Sequence, residues 1–127
     1  MKNKYKIMLI ILGIIILIFV ISYFNIKNNL DNLLKINIHN VDLSKIEDGT
    51  YNGSYGNQPV YVKLSVVVKD KKIESINIIK HDNGKGKPAE KIINDVIEKQ
   101  SLEVDTISGA TYSSKVILLA INDALNK

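Results

Sequence analysis

The chain has 127 residues and a formal net charge of +4, with no arginine and no cysteine. Without guanidinium groups the bidentate phosphate and guanine contacts typical of nucleic-acid readers are missing, so nucleic acid is set aside as a partner. Without thiols there is no disulfide frame, no thiolate metal site and no cysteine for a lipid anchor.

Lys2, Lys4 and Lys6 open the chain, and residues 7–24 follow without a charge, dominated by Ile and Leu. Coiled as a helix, that run spans about 27 Å, close to a hydrocarbon core of about 30 Å. A cleaved signal peptide competes with this reading, but its apolar run is usually about 7–15 residues and ends in a small-x-small site. Here the exit is Ser22-Tyr23-Phe24-Asn25, which places aromatic residues at the interface and favours an uncleaved anchor. Three lysines precede the run and only Lys27 lies close behind it. The positive-inside rule therefore keeps the N-terminus in the cytoplasm and sends the rest outside.

The expected layout is a cytoplasmic tail over residues 1–6, a single-pass anchor in the cell membrane over 7–24, a linker over 25–45 and an extracytoplasmic domain over 46–127. Once the three leading lysines are removed, 14 of the 17 remain against 13 acidic residues, so the outer part is nearly neutral. The linker is polar and Asn-rich, expected to prolong the membrane helix for a few turns and then loosen into a tether. His39 within it has no second ligand nearby to suggest a metal.

In the outer domain Asp48-Gly49 is a turn signal, followed by Thr50-Tyr51 and the small Gly53. Residues 60–69 alternate, with Val60, Val62, Leu64, Val66 and Val68 on one face. Asp70-Lys71-Lys72 makes a tight polar turn, without the glycine that a two-residue hairpin prefers. A second strand is expected over residues 73–80, with Ile76 and Ile78 on one face and Ile79 on the other. A further short strand is expected near residues 102–104.

Pro88 suits a first helical position, and Ala89, Ile92, Ile93, Val96 and Ile97 make an apolar stripe behind it. The last helix starts near Thr111, with Val116, Leu119, Ala120 and Ala124 at helical spacing, widened by Ile117 and Ile121. A sheet with one apolar face needs a cover, and two helices supply it. The fold class is α+β: a small antiparallel sheet covered by two helices, preceded by one N-terminal transmembrane helix.

The stretch richest in chemistry is DTISGATYSS, residues 105–114. A small turn, Ser108-Gly109-Ala110, delivers the Thr111 hydroxyl to the start of the last helix. Free N–H groups there carry partial positive charge and favour a phosphate. Ser113 and Ser114 add donors, Gly109 removes a Cβ where a ligand needs close approach, and Tyr112 and Ile107 offer flat or apolar contact. Lys115 sits unfavourably near a helix start unless it meets an anion. Tyr51, Tyr55 and Tyr61 are further aromatic candidates. Taken alone, a hydroxyl beside a helix start is more often a plain cap.

HDNGKGKPAE, residues 81–90, adds a Gly-rich loop between a strand and a helix, without the third glycine of a dinucleotide fingerprint or the Gly-Lys-Ser/Thr of a P-loop. His81 reads as a strand-end residue ahead of a ligand. No Ser-His-Asp set, His-Glu-x-x-His motif or paired carboxylates can be assembled, so the chain is not expected to turn over a substrate alone.

The order of DGTYNG (residues 48–53), two strand-like segments, HDNGKGKPAE and DTISGATYSS resembles the FMN-binding domain family. That family includes the covalently flavinylated subunits of sodium-translocating NADH:quinone reductases and of Rnf complexes. The resemblance extends over residues 46–127. It implies FMN linked by a phosphoester to the final Thr of the Ser/Thr-Gly-Ala-Thr element, here Thr111, installed by a dedicated flavin transferase on the outer face of the membrane. Asp105 matches the acidic residue of the transferase recognition pattern, as a recognition or Mg-assisting group. Residues 108–114 become the phosphate cradle, and the backbones of Gly84 and Gly86 come close to the flavin. The partners implied are the transferase and a membrane redox protein, such as a quinone-linked or Rnf-like dehydrogenase. Two alternatives stay open: an anchored binding or assembly module of the same fold without flavin, and a small FMN subunit of an ion-pumping complex.

Overall fold

Val60, Val62, Leu64, Val66 and Val68 alternate along one strand, and all five are buried, so this strand is the spine of the core. The computed structural model describes residues 1–57, 60–82 and 87–126. The spine, β2 (Val60–Lys69), is the centre of a three-stranded antiparallel sheet between β1 (Gly49–Asn57) and β3 (Lys72–Asp82).

The β2–β3 connection turns at Asp70 and Lys71, with φ of +53° and +64°. Positive φ at both central residues matches the twist of a hairpin, but costs energy for residues other than glycine. Two bonds offset that cost. The Asp70 N–H donates to Asp48 Oδ1 at 2.9 Å, and Lys71 Nζ donates to the Ile46 carbonyl at 3.1 Å.

β3 runs beyond the expected 73–80 and carries an irregularity beside Lys63/Leu64. Lys63 faces Lys80 while Leu64 faces Ile78, which leaves Ile79 as the extra, exposed residue. The bulge switches the side-chain parity of the strand. His81, rather than Lys80, therefore shares the covered face with Val62.

The cover is α2 (Ile92–Lys99) and α3 (Thr111–Leu125), in the order β-β-β-α-α. Pro88 lies in a 3-10 turn, Lys87–Lys91, and the α-helix proper begins only at Ile92. Ala89, Ile92 and Val96 are buried. α3 packs on β1, β2 and the 3-10 turn, and is buried nearly all round. Its approach to β1 is set by Gly53, where a Cβ would fall on the Ala120 carbonyl oxygen and within 2.7 Å of the Ala124 backbone and Cβ.

Side chains finish both sheet edges. On β1 the Ser54 N–H donates to Asp123 Oδ2 at 3.0 Å. On β3 the Gln100 amide accepts from the Ile73 N–H at 2.6 Å and donates to the Ile73 carbonyl at 3.0 Å, as a neighbouring strand would. Residues 102–104 form no strand. The Leu102 N–H is taken instead by Asn40 Oδ1 at 3.1 Å.

The chain divides into two units, Met1–Asn32 and Leu33–Lys127. The first is most of α1 (Lys2–Lys35), a single helix long and apolar enough to cross a membrane, with its Ile and Leu side chains exposed. It continues well past the apolar run.

In the second unit the segment after α1 does not loosen. Asn40 Nδ2 donates to Ser101 Oγ at 3.1 Å, Asn122 Nδ2 donates to the His39 carbonyl at 2.6 Å, and Leu33 and Ile46 are buried. Asp42 caps a 3-10 turn, Leu43–Lys45. Hydrogen bonds from the Ser44 hydroxyl and N–H, with Lys45 nearby, hold its carboxyl below the ordinary value.

Candidate functional site

Strand register and helix packing bring the end of β3 and the start of α3 to one end of the sheet. β1 ends there at Asn57, β2 begins at Val60 and β3 ends at Asp82, with Gly56 opposite Tyr61 and Tyr61 opposite Asp82. α3 starts at the same end. Val116 lies beside Gly56, whereas Ala120 and Ala124, further along the helix, lie against Gly53.

Residues 105–110 lead into that helix. The Ala110 N–H donates to the Ile107 carbonyl at 3.0 Å and closes a four-residue turn with Ser108-Gly109 at its centre. Gly109 has φ +80°, the value a type II turn requires of its third residue. Among the described residues a Cβ there would meet nothing within 4 Å, so backbone conformation, not crowding, demands the glycine. The space beside it is open.

Ala110 is the N-cap of α3 and makes no side-chain capping bond, so the first-turn N–H groups keep their partial positive charge. Thr111 is the first residue of the helix and is exposed, as are Asp105, Thr106, Ser108 and Gly109. Ile107 and Tyr112 are half-buried, and Ala110 is buried. The first turn holds no acidic residue, and half-buried Lys115 follows it.

The two serines expected to add donors to a phosphate cradle are inside the protein, with Ser113 2% and Ser114 0% exposed. The single hydroxyl hydrogen of Ser114 is donated to the Ala110 carbonyl at 2.7 Å, and its oxygen accepts the Ile107 N–H at 2.9 Å. Ser114 thus braces the loop and has no hydrogen left for a ligand. The sequence carried one hint of this, since a helical serine commonly bonds the carbonyl four residues back.

Gly84 and Gly86 lie outside the described residues. His81 is the second-last residue of β3, with its side chain 4% exposed and Nδ1 3.5 Å from Glu90 Oε2 of the 3-10 turn. Tyr51 belongs to the other end of the sheet, where its hydroxyl donates to the Glu47 carbonyl at 2.7 Å. Tyr61 lies on the uncovered face with Lys80 Nζ 5.9 Å from its ring centre. Tyr55 is half-buried beside Val62 at the site end. Among the described residues no group of three or more His, Asp or Glu could hold a metal ion.

An exposed hydroxyl at the positive end of a 15-residue helix whose first turn holds no acidic residue suits a phosphate group. A threonine hydroxyl is a weak nucleophile by itself. Joining it to phosphorus therefore calls for an activated phosphoryl donor and a base to take the hydroxyl proton.

Residues 56–126 match the family model for the FMN-binding domain, which covers more than half of the chain and all of residues 105–114. No curated protein matches the chain.

Proposed function

The chain belongs to the FMN-binding domain family, and from that premise we propose that it is a membrane-anchored, extracytoplasmic electron-transfer protein with FMN held as a phosphoester on Thr111. The observation that carries this reading is the placement of Thr111. It is exposed at the first position of α3, next to a turn whose φ +80° glycine fixes the backbone ahead of it. FMN supplies the redox chemistry when bound, and the protein supplies position and shielding.

Attachment balances as a phosphoryl transfer. Thr111 Oγ forms a bond to the flavin-side phosphorus of a flavin pyrophosphate, the pyrophosphate P–O bond breaks, and the nucleoside monophosphate leaves. The hydroxyl proton passes to a base on the transferase. Asp105, exposed six residues before Thr111, is the recognition or Mg-assisting group for that enzyme. A covalent link suits a carrier outside the cell, where a dissociating cofactor is lost by dilution.

α1 serves as the anchor, and the lysines ahead of its apolar run set the N-terminus in the cytoplasm. Electrons arrive from a membrane dehydrogenase, quinone-linked or Rnf-like, and leave to a further carrier or reductase. The test is co-expression of the full chain with a flavin transferase, followed by fluorescence on a denaturing gel. Wild type is expected to fluoresce and Thr111→Ala to be dark. A fluorescent Thr111→Ala moves the attachment elsewhere, and a dark wild type favours a flavin-free binding module.

A further inference from the structure

We propose that Ser114 is a positioning residue for Thr111: its hydroxyl holds the Ile107–Ala110 turn in the shape that presents Thr111 to a flavin phosphate. The inference rests on the reading of Thr111 as the attachment site. Ser114 lies one helical turn into α3 and is fully buried, so no partner or cofactor reaches it directly. Its hydroxyl contacts both ends of the turn, accepting from the Ile107 N–H at 2.9 Å and donating to the Ala110 carbonyl at 2.7 Å. The Ser114 N–H donates to the same carbonyl at 3.0 Å.

Planarity of the peptide bond turns this brace into control of Thr111. The Ala110 carbonyl and the Thr111 N and Cα lie in one peptide plane, so fixing that carbonyl fixes the direction in which Thr111 leaves the backbone. Helical stability does not account for the arrangement, because a serine bonding back to the carbonyl four residues earlier is neutral to slightly unfavourable in a helix. Loss of the hydroxyl strips the Ile107 N–H of its acceptor and leaves the loop held to the helix by backbone bonds alone, Ala110 N–H to the Ile107 carbonyl and Ser114 N–H to the Ala110 carbonyl. The Ile107 end of the turn then moves more freely ahead of Thr111, and a phosphoryl transfer that depends on alignment slows.

The test compares the full-length chain with Ser114→Ala, Ser114→Thr and Ser114→Val. Thr and Val have nearly the same shape, and only Thr keeps the hydroxyl. Each protein, in detergent, is loaded by a purified flavin transferase with a flavin dinucleotide as donor, at a temperature where circular dichroism shows all four folded. Ala and Val are expected to load with kcat about tenfold lower and an unchanged KM for the acceptor chain, while Thr stays within about twofold of wild type. A second readout needs no flavin. Amide exchange at Ile107 is expected to speed up about tenfold in Ala and Val, but not in Thr. Equal loading by all four proteins overturns the inference and leaves Thr111 as the attachment site. A defect in Thr as large as in Val also overturns it, because bulk rather than the hydroxyl is then responsible. No loading of wild type overturns both readings.

Discussion

The Ser114 hydroxyl oxygen lies 2.9 Å from the Ile107 backbone nitrogen, and this one contact ties the loop before α3 to the first turn of the helix. It splits the ten-residue motif into two sets. Asp105, Thr106, Ser108, Gly109 and Thr111 are exposed and available to a partner, while Ala110, Ser113 and Ser114 are buried, with Ser114 and Ala110 bonded to the loop. A short motif that looks like one binding signature therefore encodes a surface and the brace behind it.

Gly53 and Gly109 are required for different reasons, and substitution should separate them. Gly53→Ala drives a methyl group into the Ala120 carbonyl and Ala124, and is expected to cost about 3 kcal/mol. The thermal unfolding midpoint of the unit over residues 33–127 should fall by roughly 10–20 °C. A change of under about 2 °C would show that α3 does not pack on β1 at this distance.

At Gly109 the space is open and only the positive φ matters. Gly109→Ala is expected to cost about 1 kcal/mol, and Gly109→Asn less, because Asn tolerates the left-handed region. Urea unfolding would measure both. Equal, negligible effects would contradict the type II turn.

Gln100 stands in for a fourth strand along β3, with its amide bonded to both backbone groups of Ile73. Gln100→Asn keeps a residue tolerant of the local φ of +52° but is too short to reach the strand. The expected loss is about 1–2 kcal/mol in urea, with faster amide exchange at Ile73. Unchanged exchange at Ile73 would rule out the pairing.

Asp42 gives the sign of one pH effect. Hydrogen bonds from Ser44 hold its carboxyl below the ordinary 3.8. A depressed carboxyl stabilises the fold above the pKa of the unfolded chain, and that contribution disappears as pH falls through the lower, folded value. NMR titration should place the Asp42 midpoint below those of exposed carboxyls, and Ser44→Ala should raise it. A midpoint unaffected by Ser44→Ala would contradict the cap.

Much of this was legible in the sequence because simple periodicities carried it. The alternating residues of β2 and the apolar stripe behind Thr111 correspond to buried positions, and of the stripe behind Pro88 Ala89, Ile92 and Val96 are buried while Ile93 and Ile97 are half-buried. The Asp70-Lys71 turn was legible from its polarity, though not that Asp48 and Ile46 would offset its backbone cost. The bulge at Ile79 was not, because the apolar run Ile76–Ile78–Ile79 gives no sign of where the parity switches, and the face taken by His81 depends on it. The expected strand at 102–104 failed because the partner of Leu102 is the Asn40 side chain, 62 residues away. Ser114 was placed in the cradle on residue type alone. Its real role depends on the path of a loop that returns to meet it.

The central claim is that the Thr111 side-chain oxygen carries the flavin, and peptide mass mapping of the chain purified from the membranes of its native host tests it most directly. The account predicts that the peptide containing Thr111 is heavier by one FMN less one water, with fragment ions locating the addition on Thr111. An unmodified Thr111, or FMN on any other residue, would contradict it.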